Sequence, residues 1–394
     1  MNKKLVAIAV AGMLAAPLAA EAQTANVTLY GRLNLSLEAV SGRGLDPGAT
    51  QPATCVTPGP NVNCRTSDPT VYRVQSNSSR FGLRGSESLG RGLTAIFQIE
   101  SGVQADAVGG VLASRDTFVG LQGAWGTVKI GHFLAPYDDV TPIFGNAPTF
   151  NTSILSTASV WGQATQSKAN GGFDSRLGNS VRYDSPRVAG FAGSVMLSTR
   201  DATVGQGLTA SANGSVAEEK RHAYVLGAGG YYTNGPVNVA LVWEHNQKLR
   251  AAQLDDDAVS IAASYNFGVV EIGGVYERLD YDTATGNLKR DYWGIRATAP
   301  IGPGTLYAFY GHAGDGKGGA ANGTTIGNLV KGGDTGADQW SVSYTYPLSK
   351  RTITYVGYHR TENDSRVNYP LSGGPAVVNG GNPSGFIVGM VHNF

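Results

Sequence analysis

Charged side chains recur inside otherwise apolar segments of this 394-residue sequence. They are Arg32, Arg80, Arg84, Glu100, Arg115 and Arg182. Arginine stays protonated across the physiological pH range, and its planar guanidinium group suits carboxylate and phosphate. Arginines gathered around a water-filled space would therefore raise the local concentration of small anions and repel cations.

The motifs of common enzyme classes are missing. No Gly-x-Ser-x-Gly nucleophile elbow and no His-Glu-x-x-His metal motif occurs. Gly314, Gly316 and Gly319 match a dinucleotide-binding spacing, but no strand and helix pattern flanks them. The six histidines are scattered. We therefore expect no enzymatic activity, no metal site and no cofactor.

The elements that must position these charges have a two-residue period. From Val27 to Leu37 apolar residues alternate with polar ones, so a strand would have one apolar and one polar face. Similar segments recur along the chain, and none except the N-terminal one has a helical period. Our count gives sixteen strands, with short turns at one end and longer connections at the other. The longest connections are 41–70, 134–175, 200–220, 313–336 and 361–383, and shorter polar loops are predicted near 102–112, 248–256 and 280–289.

A closed transmembrane barrel explains this pattern better than a soluble sandwich. In a sandwich the arginines would be buried ions, at a cost of several kcal/mol each. In a barrel they face water, and closure satisfies every backbone polar group inside the membrane. The sequence therefore predicts an all-β, sixteen-stranded antiparallel transmembrane β-barrel around an aqueous channel. The aromatic girdles at its two rims are assigned to Tyr30, Trp125, Tyr183, Trp243, Tyr265, Tyr346 and Phe394.

The N-terminal segment has the features of a secretory signal peptide. Lys3 and Lys4 precede a short apolar run, and Ala20-Glu21-Ala22 supplies small residues for cleavage. We expect residues 1–22 to be removed and residues 23–394 to form the barrel. The net charge of +1 would then fall to about 0, because two lysines and one glutamate are lost. This charge does not favour a nucleic-acid partner.

The two cysteines are close together in a polar Pro/Gly-rich stretch. In an exported protein this spacing predicts one disulfide between Cys55 and Cys64 that constrains a loop. Two cysteines without a nearby histidine fall short of the four ligands of a structural zinc site.

Several segments, in order, resemble the Gram-negative porin family of general diffusion porins, of the type found in β-proteobacteria. They are Val27-Thr28-Leu29-Tyr30-Gly31, Ser79-Arg80-Phe81-Gly82-Leu83-Arg84-Gly85-Ser86-Glu87, Phe118-Val119-Gly120-Leu121, Asn179-Ser180-Val181-Arg182-Tyr183 and Leu348-Ser349-Lys350-Arg351-Thr352. The resemblance spans nearly the whole mature chain. It implies a homotrimeric outer-membrane channel, exported through the periplasm and surrounded by lipid and lipopolysaccharide, through which small hydrophilic solutes and ions diffuse.

The resemblance also implies a constriction. In this family the third surface loop folds into the lumen, and the matching segment here is about 134–175. Some members have an arginine cluster on the facing wall, and its matching positions here are Arg80, Arg115 and Arg176. Further lumen candidates are Arg32, Arg84, Arg182 and Lys129. The sequence departs from the family at His132, which removes one positive charge, and at Ser88, which replaces an acidic residue in a turn.

Acidic residues opposite the arginines would create a transverse field that favours hydrated, dipolar solutes. The candidates are Glu100, Asp138 and Asp139. A barrel enzyme or an adhesin, whose loops or wall hold the function, is the alternative to a diffusion channel. Stepwise single-channel currents would separate the two.

Overall fold

The computed structural model describes residues 26–42, 44–45, 66–67, 70–145, 153–199, 223–251 and 253–394. The expected signal peptide, residues 1–22, lies outside this part of the chain. Cys55 and Cys64 lie outside it as well, so their disulfide stays a prediction.

Sixteen antiparallel strands form one closed barrel, which confirms the predicted fold class and strand number. The second strand has two segments, and both pair with the first. In chain order the strands are β1 Asn26–Ser41, β2 Thr70–Ser76 with Arg80–Gly90, β3 Leu93–Val103, β4 Thr117–Gly123, β5 Gly126–Leu134, β6 Arg176–Asp184, β7 Phe191–Thr199, β8 Tyr224–Asn234, β9 Val237–Ala251, β10 Leu254–Asn266, β11 Glu271–Thr283, β12 Gly286–Ile301, β13 Gly304–Ala313, β14 Ala337–Pro347, β15 Thr352–Asn363 and β16 Ser384–Asn393.

The barrel closes between its first and last strands. Strand β1 pairs antiparallel with both β2 and β16. The pairing reaches the chain end, where Gly31 and Phe394 exchange two backbone hydrogen bonds of 3.0 Å. Closure removes the unpaired edge that an open sheet would expose to lipid.

The two faces of the wall differ as the alternation predicts. Leu29, Leu33 and Leu37 point outward and are exposed, whereas Asn34, Ser36 and Glu38 of the same strand are buried inside. The assignment of Tyr30 to a girdle is wrong. Tyr30 has the same strand parity as Arg32, and its hydroxyl donates to Glu100 across the inner face.

Two of the predicted polar loops are tight turns in the structure. Strands β9 and β10 continue to Ala251 and Leu254, and strands β11 and β12 continue to Thr283 and Gly286. The ladders continue because cross-strand pairs, such as Asp280 with Lys289 at 2.6 Å, are compatible with strands exposed to water. In the described part of the chain, no helix is both long and apolar enough to cross a bilayer.

Candidate pore constriction

The described residues of the segment between β5 and β6 lie inside the barrel. The segment begins with a 3-10 turn, Pro136–Val140, and one α-helical turn, Thr141–Phe144, and continues through two further 3-10 turns, Trp161–Gln163 and Lys168–Asn170. Residues 135–145 and 153–175 of this segment are called the inner loop below. It packs mainly against the inner faces of β9 to β16, which we call the loop-covered wall, and its first turn also contacts β7 and β8.

Aromatic packing holds the inner loop together. The rings of Tyr137 and Trp161 stack with centroids 4.8 Å apart, and Phe173 lies 5.6 Å from Tyr137. Phe144 contacts Trp161 on the other side, at 5.4 Å. All four side chains are fully buried. Burial of aromatic rings is the largest apolar contribution per residue, so this half of the lumen has a dry core.

A buried ion pair fixes the inner loop to the wall. The carboxylate of Glu277 accepts hydrogen bonds from Arg290 at 2.6 Å, from the Tyr137 hydroxyl at 2.7 Å and from the Gly162 amide at 2.5 Å. Arg290 also donates to the Val160 carbonyl, at 2.9 Å. Neither charged side chain is exposed. A buried pair is stabilised when its remaining polar atoms find partners. The loop supplies three of them, and Arg290 Nε alone of the guanidinium nitrogens has none in the described part of the chain.

Further wall side chains hold the backbone of the inner loop. Tyr281 donates to the Gly171 carbonyl at 2.6 Å, and Tyr307 donates to the Phe144 carbonyl at 2.7 Å. Arg296 donates to the Ile143 carbonyl. These bonds satisfy carbonyls that have no partner in regular secondary structure, so the wall determines the course of the loop.

The structure does not bring Asp138 to the arginines. Its carboxylate is buried in the inner loop, near Asp174, Glu244 and Lys168. Burial and the neighbouring Asp174 raise the pKa of Asp138 well above its ordinary value. Lys168, which pairs with Glu244, is the positive charge in this group. Asp138 is therefore part of the packing between loop and wall and does not face the channel.

The opposite inner wall, formed by β1 to β6, is lined with arginines, and we call it the arginine wall. Glu100 lies between two of them, with the Arg115 Nε at 2.5 Å and the Arg80 Nε at 3.4 Å from its carboxylate oxygens. The Tyr30 hydroxyl donates to the same carboxylate at 3.0 Å. Glu100 thus lies among the arginines on their own wall and not across the channel from them.

Two further arginines extend this row. Arg32 pairs in register with Arg80, and Arg176 forms an ion pair of 2.7 Å with Asp116. Burial and the nearby Arg176 lower the pKa of Arg115. The group contains four guanidinium cations and two carboxylates, so two positive charges remain in excess. The cations are Arg32, Arg80, Arg115 and Arg176, and the carboxylates are Glu100 and Asp116.

A second charged group lies nearer the short turns. Arg182 pairs with Asp139 at 2.6 Å and with Asp184 at 2.8 Å, and Lys129 contacts Asp184 at 3.0 Å. Asp139 is thus the acidic residue of the inner loop that reaches a predicted lumen cation. Arg84 is separate from this group and lies over the Tyr30 ring, 5.0 Å from its centroid.

Sequence reasoning missed several partners of these residues. Asp116 directly follows Arg115, and Asp184 shares a strand face with Arg182, so adjacency and strand parity could have indicated both. Glu277 and Arg290 also fall on inward positions. Nothing local in the sequence indicates that a loop more than a hundred residues earlier, at Tyr137 and Val160, covers them.

A closed sixteen-strand barrel with a charged lumen and an inward-folded loop defines the class of outer-membrane diffusion channels. Comparisons with known proteins agree. A sequence profile described as Gram-negative porin matches residues 7–366, and the chain belongs to this family. Like its relatives, it is an outer-membrane porin that forms a water-filled channel for passive diffusion of small hydrophilic solutes. Porins of this family are channels rather than enzymes.

Two curated relatives and one solved structure illustrate the similarity. The chain is 27% identical to outer membrane porin protein 32 of Delftia acidovorans, over 100% of both chains. It is 29% identical to an outer membrane porin protein of Bordetella pertussis, over 71% of this chain and 76% of that protein. The structure of an anion-selective porin from Comamonas acidovorans has a TM-score of 0.68 and 23% identity, covering 94% of this chain and 100% of that one.

Proposed function

We propose that this porin is a passive channel that prefers anions, with the inner loop, within about 134–175, as its constriction. The single observation behind the proposal is the arginine wall, where four guanidinium groups meet two carboxylates at half-buried positions. The name of the similar Comamonas acidovorans structure, an anion-selective porin, supports the same sign of selectivity.

Permeation in this proposal is partition and diffusion, without a chemical step. The inner loop fills the side of the lumen next to β9 to β16, so water and solutes pass along the arginine wall. Low-dielectric walls focus the field of the arginines and raise the anion concentration between them. Salt weakens the preference, because the Debye length falls from roughly 10 Å at 0.1 M to roughly 3 Å at 1 M.

Reversal potentials in a salt gradient test the selectivity. The variant with Arg80→Gln, Arg115→Gln and Arg176→Gln is expected to shift the reversal potential toward cations, because three fixed positive charges are lost. Arg278→Gln is the matched control, since Arg278 lies on the outer face, and it is expected to leave the potential unchanged. An unshifted triple variant that still conducts would refute the arginine assignment and leave the channel intact.

We also propose that the porin assembles as a homotrimer through the outer face of the arginine wall. On β1 to β6 this face exposes mainly aliphatic side chains, with Tyr72 and Phe81 as exposed aromatics within the strands. The outer face of the loop-covered wall instead exposes a set of aromatic side chains typical of a lipid interface. They are Trp243, Tyr265, Tyr276, Trp293, Trp340, Tyr346 and Tyr358. We assign this aromatic face to the lipid and lipopolysaccharide of the outer membrane.

Polar substitutions on the two outer faces test the assembly. Leu29→Gln with Leu83→Gln is expected to yield monomers in mild detergent, measured by light scattering after size-exclusion chromatography. Leu241→Gln on the aromatic face, where the leucine is 51% exposed, is expected to leave the trimer intact. If the wild type is monomeric, the trimer is contradicted. If Leu241→Gln yields monomers and the Leu29→Gln, Leu83→Gln variant stays trimeric, the interface lies on the aromatic face instead. Removal of residues 1–22 on export is tested by N-terminal sequencing of the mature protein.

A further inference from the structure

His359 is a titratable residue on the inner side of the barrel wall, and it takes no part in the permeation path proposed above. It lies on the inner face of β15, and its side chain is fully buried. Among the residues that the structure describes, neither ring nitrogen has a hydrogen-bond partner. The hydroxyls of Ser341, its neighbour on β14, and of Thr361, two residues along β15, are also buried without a partner in this part of the chain. Three unsatisfied polar side chains at one place call for an explanation, because most buried polar groups are paired.

The inner loop covers this site. Leu155 packs where a side chain at Gly357 would be, and Ile154 does the same at Gly385, which pairs in register with His359. On the other side, Gln339 donates a hydrogen bond to the Ser159 hydroxyl. Residues 153–159 therefore seal His359 against the wall, and we call them the cover segment.

The elements around His359 present uncharged side chains. The adjacent Arg360 points outward and pairs with Glu362. In the described part of the chain, the inward-facing neighbours of His359 on β14, β15 and β16, in the cover segment and in the loop after β15 are all neutral. They are Gln339, Ser341, Ser343, Tyr355, Thr361, Gly385, Ile387, Ile154, Leu155, Ser156, Thr157, Ser159 and Leu371. A neutral imidazole fits this environment. A protonated one would be a buried cation without a counter-ion, which is strongly unfavourable.

We propose that His359 is an acid-sensitive latch: the neutral side chain allows the cover segment to pack against the wall, and its protonation releases that segment into the channel. The proposal rests on the passive channel and not on anion selectivity. The hydroxyls of Ser341 and Thr361 are uncharged, so they cannot neutralise the charge of an added proton. Release of the segment lets water reach the imidazolium, which removes the penalty.

The direction of movement follows from the closed wall. Strands β14, β15 and β16 are continuously paired behind the cover segment, so the segment can move only toward the lumen. There it narrows the aqueous path along the arginine wall. Acidification is therefore expected to lower the single-channel conductance and to expose the cover segment to solvent.

Single-channel recordings between about pH 8 and about pH 3 test the latch, because burial of an imidazole moves its protonation below the ordinary histidine range. The wild type is expected to show one downward conductance step on acidification. His359→Gln, which cannot gain a proton in this range, is expected to lose the step. His359→Lys is expected to show the low conductance at neutral pH already. His312→Gln is the matched control, because His312 is on the outer face and pairs with Asp338.

Each outcome decides the proposal. A wild type without the acid step, or a step that persists in His359→Gln, overturns it. If His359→Gln does not fold, His359→Asn is the second variant, and hydrogen exchange of the cover segment in the wild type is an independent measurement. A protection factor of the cover segment, corrected for the intrinsic pH dependence of amide exchange, that does not fall on acidification would also overturn the latch. Failure of the latch leaves the neutral-pH conductance unchanged, whereas failure of the channel or of its selectivity appears at neutral pH.

Discussion

The arginine wall and the loop-covered wall are built from the same alternating strands but treat charge in opposite ways. On the arginine wall, Arg80, Arg115 and Arg176 keep part of their side chains exposed and share two carboxylates. On the loop-covered wall, Glu277 and Arg290 are both unexposed, and each has additional partners in the inner loop. Water permits an excess of positive over negative charge, whereas a dry interior requires each charge to have an opposite partner and further hydrogen bonds.

The hairpin of β11 and β12 shows the same difference within a few residues. Glu277 and Arg290 face inward, and the next pair along, Arg278 and Asp291, faces outward at 2.7 Å with both side chains partly exposed. The two arginine–carboxylate pairs have nearly the same length, but one is buried and the other is partly exposed. We therefore expect them to contribute differently to stability. The following four experiments vary this contrast, from the largest expected effect to the smallest.

Removing one member of the buried pair should have the largest effect. Glu277→Ala leaves Arg290 as an uncompensated buried charge and removes the acceptor of Tyr137 and Gly162. We expect a loss of about 3–5 kcal/mol in the free energy of local opening of the inner loop. Native-state hydrogen exchange of residues 153–175 measures it.

Replacing both charges together is the control. Glu277→Leu with Arg290→Met is expected to recover much of the loss, because no unpaired charge remains. If the amides of residues 153–175 were as well protected from exchange in Glu277→Ala as in the wild type, the loop-covered wall would not be dry at this point.

Filling the space at Gly357 should have a smaller effect. A Cβ atom there would lie 2.8 Å from Leu155 Cδ1 and 2.9 Å from Ser343 Cβ. Gly357→Ala is expected to destabilise the docking of residues 153–159 by about 1–3 kcal/mol through overpacking. Gly230→Ala on β8 is the control, because an added Cβ there meets no described atom within 4 Å apart from its chain neighbours. It should leave the same exchange rates unchanged. Equal effects of the two substitutions would show that packing at Leu155 is loose.

The buried carboxylate of Asp138 should make loop docking depend on pH. Its pKa is raised in the folded protein by burial and by Asp174, so the folded state binds the proton more tightly than the unfolded chain does. Docking is then most favourable below the ordinary aspartate pKa of about 3.9 and weakens as the pH rises through the raised value.

Asp138→Asn is expected to remove this dependence. Hydrogen exchange of residues 135–145 should slow in the variant relative to the wild type as the pH rises, in a His359→Gln background that eliminates the acid response. Identical pH profiles of the two proteins would show that Asp138 reaches water. Asp139→Asn, which removes the partner of Arg182, is the neighbouring control and should leave the dependence in place.

The exposed ion pair should have the smallest effect. Arg278→Gln is expected to change the stability by at most about 1 kcal/mol, because solvent and salt screen the pair with Asp291. Denaturant unfolding in detergent at low and high salt measures it. A loss as large as that of Glu277→Ala would erase the distinction between the two faces of the hairpin.

The sequence by itself determined the barrel, because the two-residue period specifies which face of each strand meets lipid and which meets water. It placed Arg32, Arg80, Arg115 and Arg182 on the inner side, and the resemblance to the porin family added Arg176. The structure brings these arginines into two charged groups. The same alternation places Tyr30 on the inner face beside Arg32, so the strand pattern itself argued against the assignment of Tyr30 to a girdle.

Only the tertiary structure decided which part of the lumen is wet. Whether Asp138 faces the arginines or the dry core, and whether Glu277 and His359 meet water or the inner loop, depends on contacts between residues far apart in the chain. Strand periodicity is a local property and assigns a side chain to a face. Burial on that face depends on where a distant loop packs, and no local pattern encodes it.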